Sequence, residues 1–382
     1  MSQPQLKPGM VLFTEGSTAY EFMMEVVGGP YGERVLLARR RTPEGPDATV
    51  FLKCVHMPTR PSSQTQQAHA RLEEEMRLME YLRHPGIARV HGLRQVQNTF
   101  YAIAECVEGN SLDTLVNVVP EHFLRYSESF VLYVGAQVAQ ALAYAHACRD
   151  TQGQPLGIVH RAVDFTRIWV TWSGQVKLTD FGLAFSQLAG RLPSSGRRLR
   201  GEPYALSPEA LLGLPVDARS DLFQLGMVLY ELATGTHPLD PPRSVPLQVD
   251  RPFTAEEQAR IKASLKRAKA AGMEPSVKDV ILRSATFTAR DLEPLAANLS
   301  QPLRGPILRL LQPEPAARYL TAHEAELALR ASLDQLGAYG DREAARELSE
   351  TLAEAGARLV AQGGGFAPMA AVRESPDAAA AR

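Results

Sequence analysis

The hydrophobic period of this chain changes about a third of the way along. From Met10 to Val107 the apolar residues fall in short β-rich runs: "EFMMEVVGG", "GERVLLARRR" and "ATVFLKCV", then "ARVHGLRQVQ" and "FYAIAECV". The turn-like "GGPYG" separates the first two runs. One segment in this region has a helical period instead. In "QTQQAHARLEEEMRLMEYLRH" the residues Leu72, Met76, Met79 and Leu82, with Leu78, fall on one helix face. From Ser111 onward helical patterns dominate. "SESFVLYVGAQVAQALAYAHAC" is strongly apolar and predicts a buried helix, and "SDLFQLGMVLYELATG" predicts another. The prolines from Pro238 to Pro246 predict a loop, and "TAHE" at Thr321–Glu324 is a capping-box signature opening a further helix.

The pattern changes again near the end. "DREAARELSETLAEAGARLVAQ" repeats Ala345, Leu348, Leu352, Ala355 and Leu359 at spacings of three and four, one apolar stripe on a helix. Packing onto the main domain is the plain reading of that stripe, and self-association or partner binding the alternative. The Gly/Ala-rich "GGGFAPMAAVRESPDAAAAR" predicts disorder. The expected division is residues 10–107, β-rich; 108–338, helical; 339–361, an amphipathic helix; and 362–382, a disordered tail.

Composition narrows the function classes. The chain has 382 residues, 45% hydrophobic and 22% charged, with a formal net charge of −1. A sizeable core is available, and no whole-chain field draws the protein to nucleic acid. Cys54, Cys106 and Cys148 lack metal or redox spacing and suit reduced thiols. The sequence contains no apolar run of membrane-spanning length, and "MSQPQLKPGM" lacks signal-peptide character, so a cytoplasmic protein is expected.

Two stretches carry the chemistry: "HRAVDFTRIWV" at His160–Val170 and "LTDFGLAF" at Leu178–Phe185. With Lys53 in "VFLK", Glu75 in "EMRLMEYLRHP", "AECVEGNSL", Glu209 in "SPEA", Asp221 in "DARSDLFQLG" and Arg318 in "PEPAARYL", they stand in the order of protein kinase motifs. From about Phe22 to Gln335 the sequence resembles the bacterial eukaryotic-like Ser/Thr protein kinases. The resemblance implies an α+β bilobal fold, with a small β-rich lobe carrying one main helix and a larger helical lobe. It implies that Lys53 holds nucleotide phosphates and pairs with Glu75, and that Asp180 binds metal. His160 packs under Phe181, and Glu209 pairs with Arg318. Glu105 and Val107 lie in the hinge that meets the nucleotide, and Gly28, Gly29 and Gly32 in the phosphate loop. A lone glycine cluster reads equally as a hairpin turn, and Pro30 removes one N–H from it.

Against the phosphoryl-transfer template the sequence departs at four linked positions. Where the family places its catalytic aspartate stands Ala162, which accepts no proton. The lysine two positions later is Asp164. The metal-binding asparagine is Arg167, whose permanent charge repels Mg²⁺. The Ser or Thr that would bond to this cluster is Glu202. Asp164 is a conceivable substitute base, but two residues of extended loop span about 6–7 Å and a general base works within about 3 Å. Its plainer reading is a loop-surface carboxylate paired with a nearby arginine.

The adenine end departs too. The family's small residue above the ring is Phe51 and its aliphatic residue below is Trp169, so two aromatics aim at a slot one ring thick. Ala104 at the deep end leaves room for one to turn aside. The expectation is a pseudokinase that binds another protein, such as a signalling kinase or its substrate, as scaffold or allosteric regulator. It requires no cofactor, and ATP binding, where present, is weak and independent of Mg²⁺, with Asp180 the one metal-binding candidate. The alternatives are a weak or atypical ATP-dependent Ser/Thr kinase and a metal-independent nucleotide sensor. The basic run around Ser194 and Ser195 (Arg191, Arg197, Arg198, Arg200) reads as a solvated loop or a docking patch.

Overall fold

A computed structural model describes residues 6–28, 33–118, 126–188, 203–239, 252–270 and 277–361. Gly29, Gly32, Glu202, the arginine-rich run at 191–200, most of the Pro238–Pro246 loop and the tail from 362 lie outside the described residues.

The first lobe is a six-stranded antiparallel sheet. In chain order its strands are β1 (Val11–Glu15), β2 (Thr18–Gly28), β3 (Arg34–Thr42), β4 (Gly45–His56), β5 (Val90–Val96) and β6 (Thr99–Glu105). They lie side by side as β1-β2-β3-β4-β6-β5, and helix α1 (Ser63–Met79) connects β4 to β5. The register sets Phe51 beside Ala104 and Lys53 beside Ala102. Inward residues of the sheet, among them Phe13, Leu36, Val50 and Leu52, form a compact core. Helix α1 starts at Ser62, whose hydroxyl accepts from Thr65 N at 3.1 Å. Its buried face holds Leu72, Leu78 and Met79 and also Glu75, which is 2% exposed. Met76, placed on that face by periodicity, is half-buried, and Leu82 is buried just past the helix end.

The second lobe is helical around α3 (Glu128–Ala147), which buries residues on every side. Ser127 caps it, accepting from Phe130 N at 3.1 Å. Helix α5 (Ala218–Thr234) crosses α3 closely: a Cβ on Gly135 would come within 2.7 Å of Leu229 Cδ1. Helix α5 ends at Gly235, φ 70°, in a left-handed cap. A small sheet of β7 (Gly109–Ser111), β8 (Ile168–Thr171) and β9 (Val176–Leu178) lies near the cleft, with α2 (Leu112–Val118) following β7. The lobe is completed by α4 (Pro208–Leu212), α6 (Ala255–Ala270), α7 (Val277–Thr286), α8 (Leu292–Ala297), α9 (Gln301–Leu310) and α10 (Ala322–Asp334). Thr321 caps α10, accepting from Glu324 N at 3.1 Å, while the Glu324 carboxylate takes Leu320 N rather than closing the reciprocal box.

Helix α11 (Asp341–Ala361) packs back on this lobe. Among its described side chains, which end at 357 and so exclude Leu359, the buried ones are Ala344, Leu348 and Ala355, so Ala344 replaces Ala345 on the inner face. Two polar anchors explain the rotation. Tyr133 Oη donates to Asp341 at 2.6 Å, and Glu347 accepts from Ser127 N and Oγ, both at 2.7 Å. Gly174, φ 85°, is required at the contact, because a Cβ there would stand 1.8 Å from Asp341 O. No helix among the described residues is long and apolar enough to cross a membrane.

Candidate functional site

The cleft between the lobes is spanned by one chain of alternating charges. Strand β4 presents Lys53, whose Nζ lies 2.7 and 2.9 Å from the two Glu75 oxygens and 2.9 Å from Asp180 Oδ1. The other Asp180 oxygen accepts from Arg167 Nε at 3.0 Å. Arg167 in turn bonds Asp164 through Nη1. Glu75, Asp164 and Arg167 are all buried. Burial alone would lower the Lys53 pKa, but Asp180 and Glu75 outweigh it and hold the amine above its usual range. Burial opposes ionisation of Asp180, yet Lys53 and Arg167 hold its carboxyl well below the usual carboxylate range. Both groups are therefore charged at neutral pH.

Asp164 is fully engaged. Its Oδ1 accepts from Thr166 Oγ1 at 2.6 Å, Thr166 N at 3.0 Å and Arg167 N at 3.2 Å, closing the loop on itself, while Oδ2 takes the Arg167 guanidinium. An arginine is indeed its partner, but Asp164 is buried rather than a surface carboxylate, because the turn closed by Thr166 and the Arg167 guanidinium cover it. Thr166 was not singled out from the sequence, although Asp-x-Thr is a recognisable turn pattern. Ala162, 1% exposed, offers only a methyl group where a base would be needed.

The loop carrying these residues is fixed from below by Asp221. Its carboxylate accepts from His160 N at 2.8 Å and Arg161 N at 2.7 Å, and pairs with His146 Nε2 at 2.8 Å. Arg161 has φ 68° and Asp180 φ 65°; among the described residues, Gln97 is the one other non-glycine with positive φ. Such backbone costs about 1–3 kcal/mol per residue and survives where surrounding bonds over-determine it. His160 stands edge-on to Phe181 with centroids 4.5 Å apart, and its Nε2 donates to Thr179 O at 3.1 Å. Burial pushes the His160 imidazole below its ordinary pKa, against the opposing effect of Asp221. In the helical lobe Arg318 grips Glu209 with two bonds of 2.7 and 2.9 Å.

At the other end of the cleft, Phe51 and Trp169 meet edge to face, centroids 6.2 Å apart and planes at 60°. Both are half-buried, and Trp169 Nε1 donates to Thr166 O at 3.2 Å. The hinge residue Glu105 is tied by its side chain to Lys177 and to Arg89 N, and Val107 is buried. Lys177 escaped the sequence reading because a lysine on a three-residue strand carries no signal of its own. Gly28 ends β2, while the positions of Gly29, Gly32 and Glu202 fall outside the described residues.

A metal fits this arrangement poorly. The Mg²⁺ associated with the fold needs oxygen ligands free to face it, but both Asp164 and Asp180 face the Arg167 guanidinium instead. Among the described residues no group of three or more His, Cys, Asp or Glu is placed to hold a metal.

A β-rich lobe with a lysine–glutamate pair, set over a helical lobe with an Asp-Phe-Gly turn, is the architecture of a protein kinase domain. A family model of that description, "Protein kinase domain", matches residues 28–325, and the chain belongs to that family. It is 26% identical over 322 residues to the tyrosine-protein kinase MasK of Myxococcus xanthus, covering 84% of this chain and 42% of the relative. It is 34% identical over 173 residues to the serine/threonine-protein kinase PknA of Mycobacterium tuberculosis, covering 44% of this chain and 37% of that protein. A serine/threonine-protein kinase of Arabidopsis thaliana matches at 27% over 237 residues, 62% of this chain and 25% of the relative. The chain thus spans about two fifths or less of the length of these curated relatives.

Proposed function

We propose that this chain is a pseudokinase: a protein kinase domain that does not transfer phosphate and works by binding another protein as scaffold or allosteric regulator. One observation carries the reading. The position of the catalytic base is the buried methyl of Ala162, and the nearest substitute, Asp164, is consumed by Arg167 and Thr166. A base must be free to take a proton from the attacking hydroxyl. Arg167 supports the same reading, because it supplies a fixed cation between two carboxylates where the template uses a metal. A partner protein, such as a signalling kinase or its substrate, is the ligand class this leaves.

The comparisons taken alone favour a second reading, an active ATP-dependent kinase. The relatives are named as kinases, and Lys53, Glu75 and Asp180 are in contact as an active site would have them. Incubation of the purified chain with γ-labelled ATP separates the two. The pseudokinase reading expects no incorporation into itself or into generic basic substrates. Incorporation abolished by Lys53→Met would establish the active kinase, and loss confined to Asp164→Asn would identify Asp164 as its base.

A further inference from the structure

Two cavities meet at the hinge, and neither includes a residue of the Lys53–Glu75–Asp180–Arg167–Asp164 chain. The first, about 410 Å³, is lined by Arg83, Arg89, His91, Glu105 and Lys177, among others. The second, about 520 Å³, shares Glu105 and Lys177 and continues to Cys106, Glu108 and Trp172. Their shared wall is the Glu105–Lys177 ion pair, so they form one groove.

The first cavity is strongly basic. Arg83 and Arg89 are exposed, and neither guanidinium has a carboxylate partner among the described residues. Lys177 is balanced by Glu105. Burial pushes the imidazoles of His84 and His91 below their ordinary pKa, so both are neutral at pH 7. The remaining net charge of this cavity is that of the two arginines, two positive units, and the Glu108 carboxylate stands apart from it in the second cavity. A phosphate monoester dianion matches it, whereas one carboxylate leaves half of it unanswered. The second cavity offers Trp172, 45% exposed and the one exposed Trp or Phe among the described residues. Its indole N–H has no hydrogen-bond partner among those residues, so the ring presents both an apolar face and a donor.

We propose that this groove docks a phosphorylated segment of a partner protein, with the phosphate between Arg83, Arg89 and Lys177 and the next apolar side chain against Trp172. The site deepens the partner-binding part of the proposed function but does not depend on the cleft being silent. Phosphate-transfer assays report on the cleft, whereas the test below reports on the groove.

The chain has two tryptophans, so Trp169→Phe leaves Trp172 as the only indole reporter. The probe is phosphoseryl-leucine amide, titrated into the full chain at fixed ionic strength while Trp172 emission is followed. The expected result is saturable binding that weakens about tenfold or more on removing the phosphate or in Arg83→Ala/Arg89→Ala, as loss of charge-assisted bonds implies. Trp172→Ala in the same chain, followed by calorimetry, should weaken the peptide but leave inorganic phosphate unchanged. Both arginines are exposed, so an unchanged melting temperature separates lost binding from lost folding. No saturable response, equal binding of seryl-leucine amide, inorganic phosphate matching the phosphopeptide, or stronger binding of a short single-stranded oligonucleotide would each overturn the proposal.

Discussion

Arg318 and Arg167 are both buried guanidiniums bound to carboxylates within the helical lobe, but one is sealed in its interior and the other lines the cleft. Arg318 spends its donors completely: two bonds to Glu209 and one each to the carbonyls of Gln312, Pro313 and Arg219. Its side chain is 0% exposed and that of Glu209 6%. Arg167 divides itself between Asp164 and Asp180, and Asp180, 29% exposed, is shared again with Lys53. The first arrangement is a staple, fixed whatever the cleft does. The second is a series of shared contacts whose members compete with any ligand that enters. The contrast shows how one fold keeps its structural ion pair intact while the charges of its cleft are turned inward.

Breaking the staple should have the largest effect. Arg318→Ala strands the buried Glu209 carboxylate and is expected to cost about 3–5 kcal/mol in chemical denaturation. Breaking the cleft link should cost less. Arg167→Ala removes charge-assisted bonds, but Lys53 still holds Asp180, so a loss of about 1–3 kcal/mol is expected. Equal costs for the two variants would erase the distinction drawn here.

Acid tests the same comparison through protons. His160 is neutral in the fold because its pKa lies below the ordinary value of about 6.5, so the unfolded chain takes up the proton first. Stability should therefore fall as pH drops below about 6.5. His84 and His91, lowered in the same direction, add to the slope. His160→Asn should remove close to one proton from that slope. Asp180 acts lower down. Its carboxyl is depressed, so its contribution is complete above the ordinary carboxylate pKa of about 3.9 and is lost as pH falls below it. A slope between pH 7 and 5 that is unchanged in His160→Asn would contradict this assignment.

The smallest expected effect lies at the aromatic end. Phe51→Ala should open the slot between Phe51 and Trp169, so that ATP raises the melting temperature more in the variant than in the wild type. A large shift of the wild type at micromolar ATP would show that the two rings leave the slot open.

Much of this could be read from residue order. The period of α1, the strong apolarity of α3 and α5 and the spacing of the kinase motifs were sufficient for the bilobal fold. Short or polar elements were not legible. Strand β1 buries only Phe13, so it shows no alternation, and β7 and β9 have three residues each. Helix α6 buries Ser264 and Ala268 beside Ile261, a face with little apolar signal. In the cleft, the substitutions at Ala162 and Arg167 were visible as departures from a template. That Arg167 reaches both Asp164 and Asp180 depends on the turn closed by Thr166, which a one-dimensional pattern does not weigh.

Arg167, on the pseudokinase reading, does the work of a metal by holding Asp180 and Asp164 together. Calorimetric titration of ATP into the wild type and into Arg167→Asn, each with Mg²⁺ and with EDTA, tests it directly. Wild-type binding, however weak, is expected to be the same in Mg²⁺ and in EDTA, whereas Arg167→Asn should bind more tightly when Mg²⁺ is present. Wild-type binding that requires Mg²⁺ would show that Arg167 does not replace the metal and would favour the active-kinase reading.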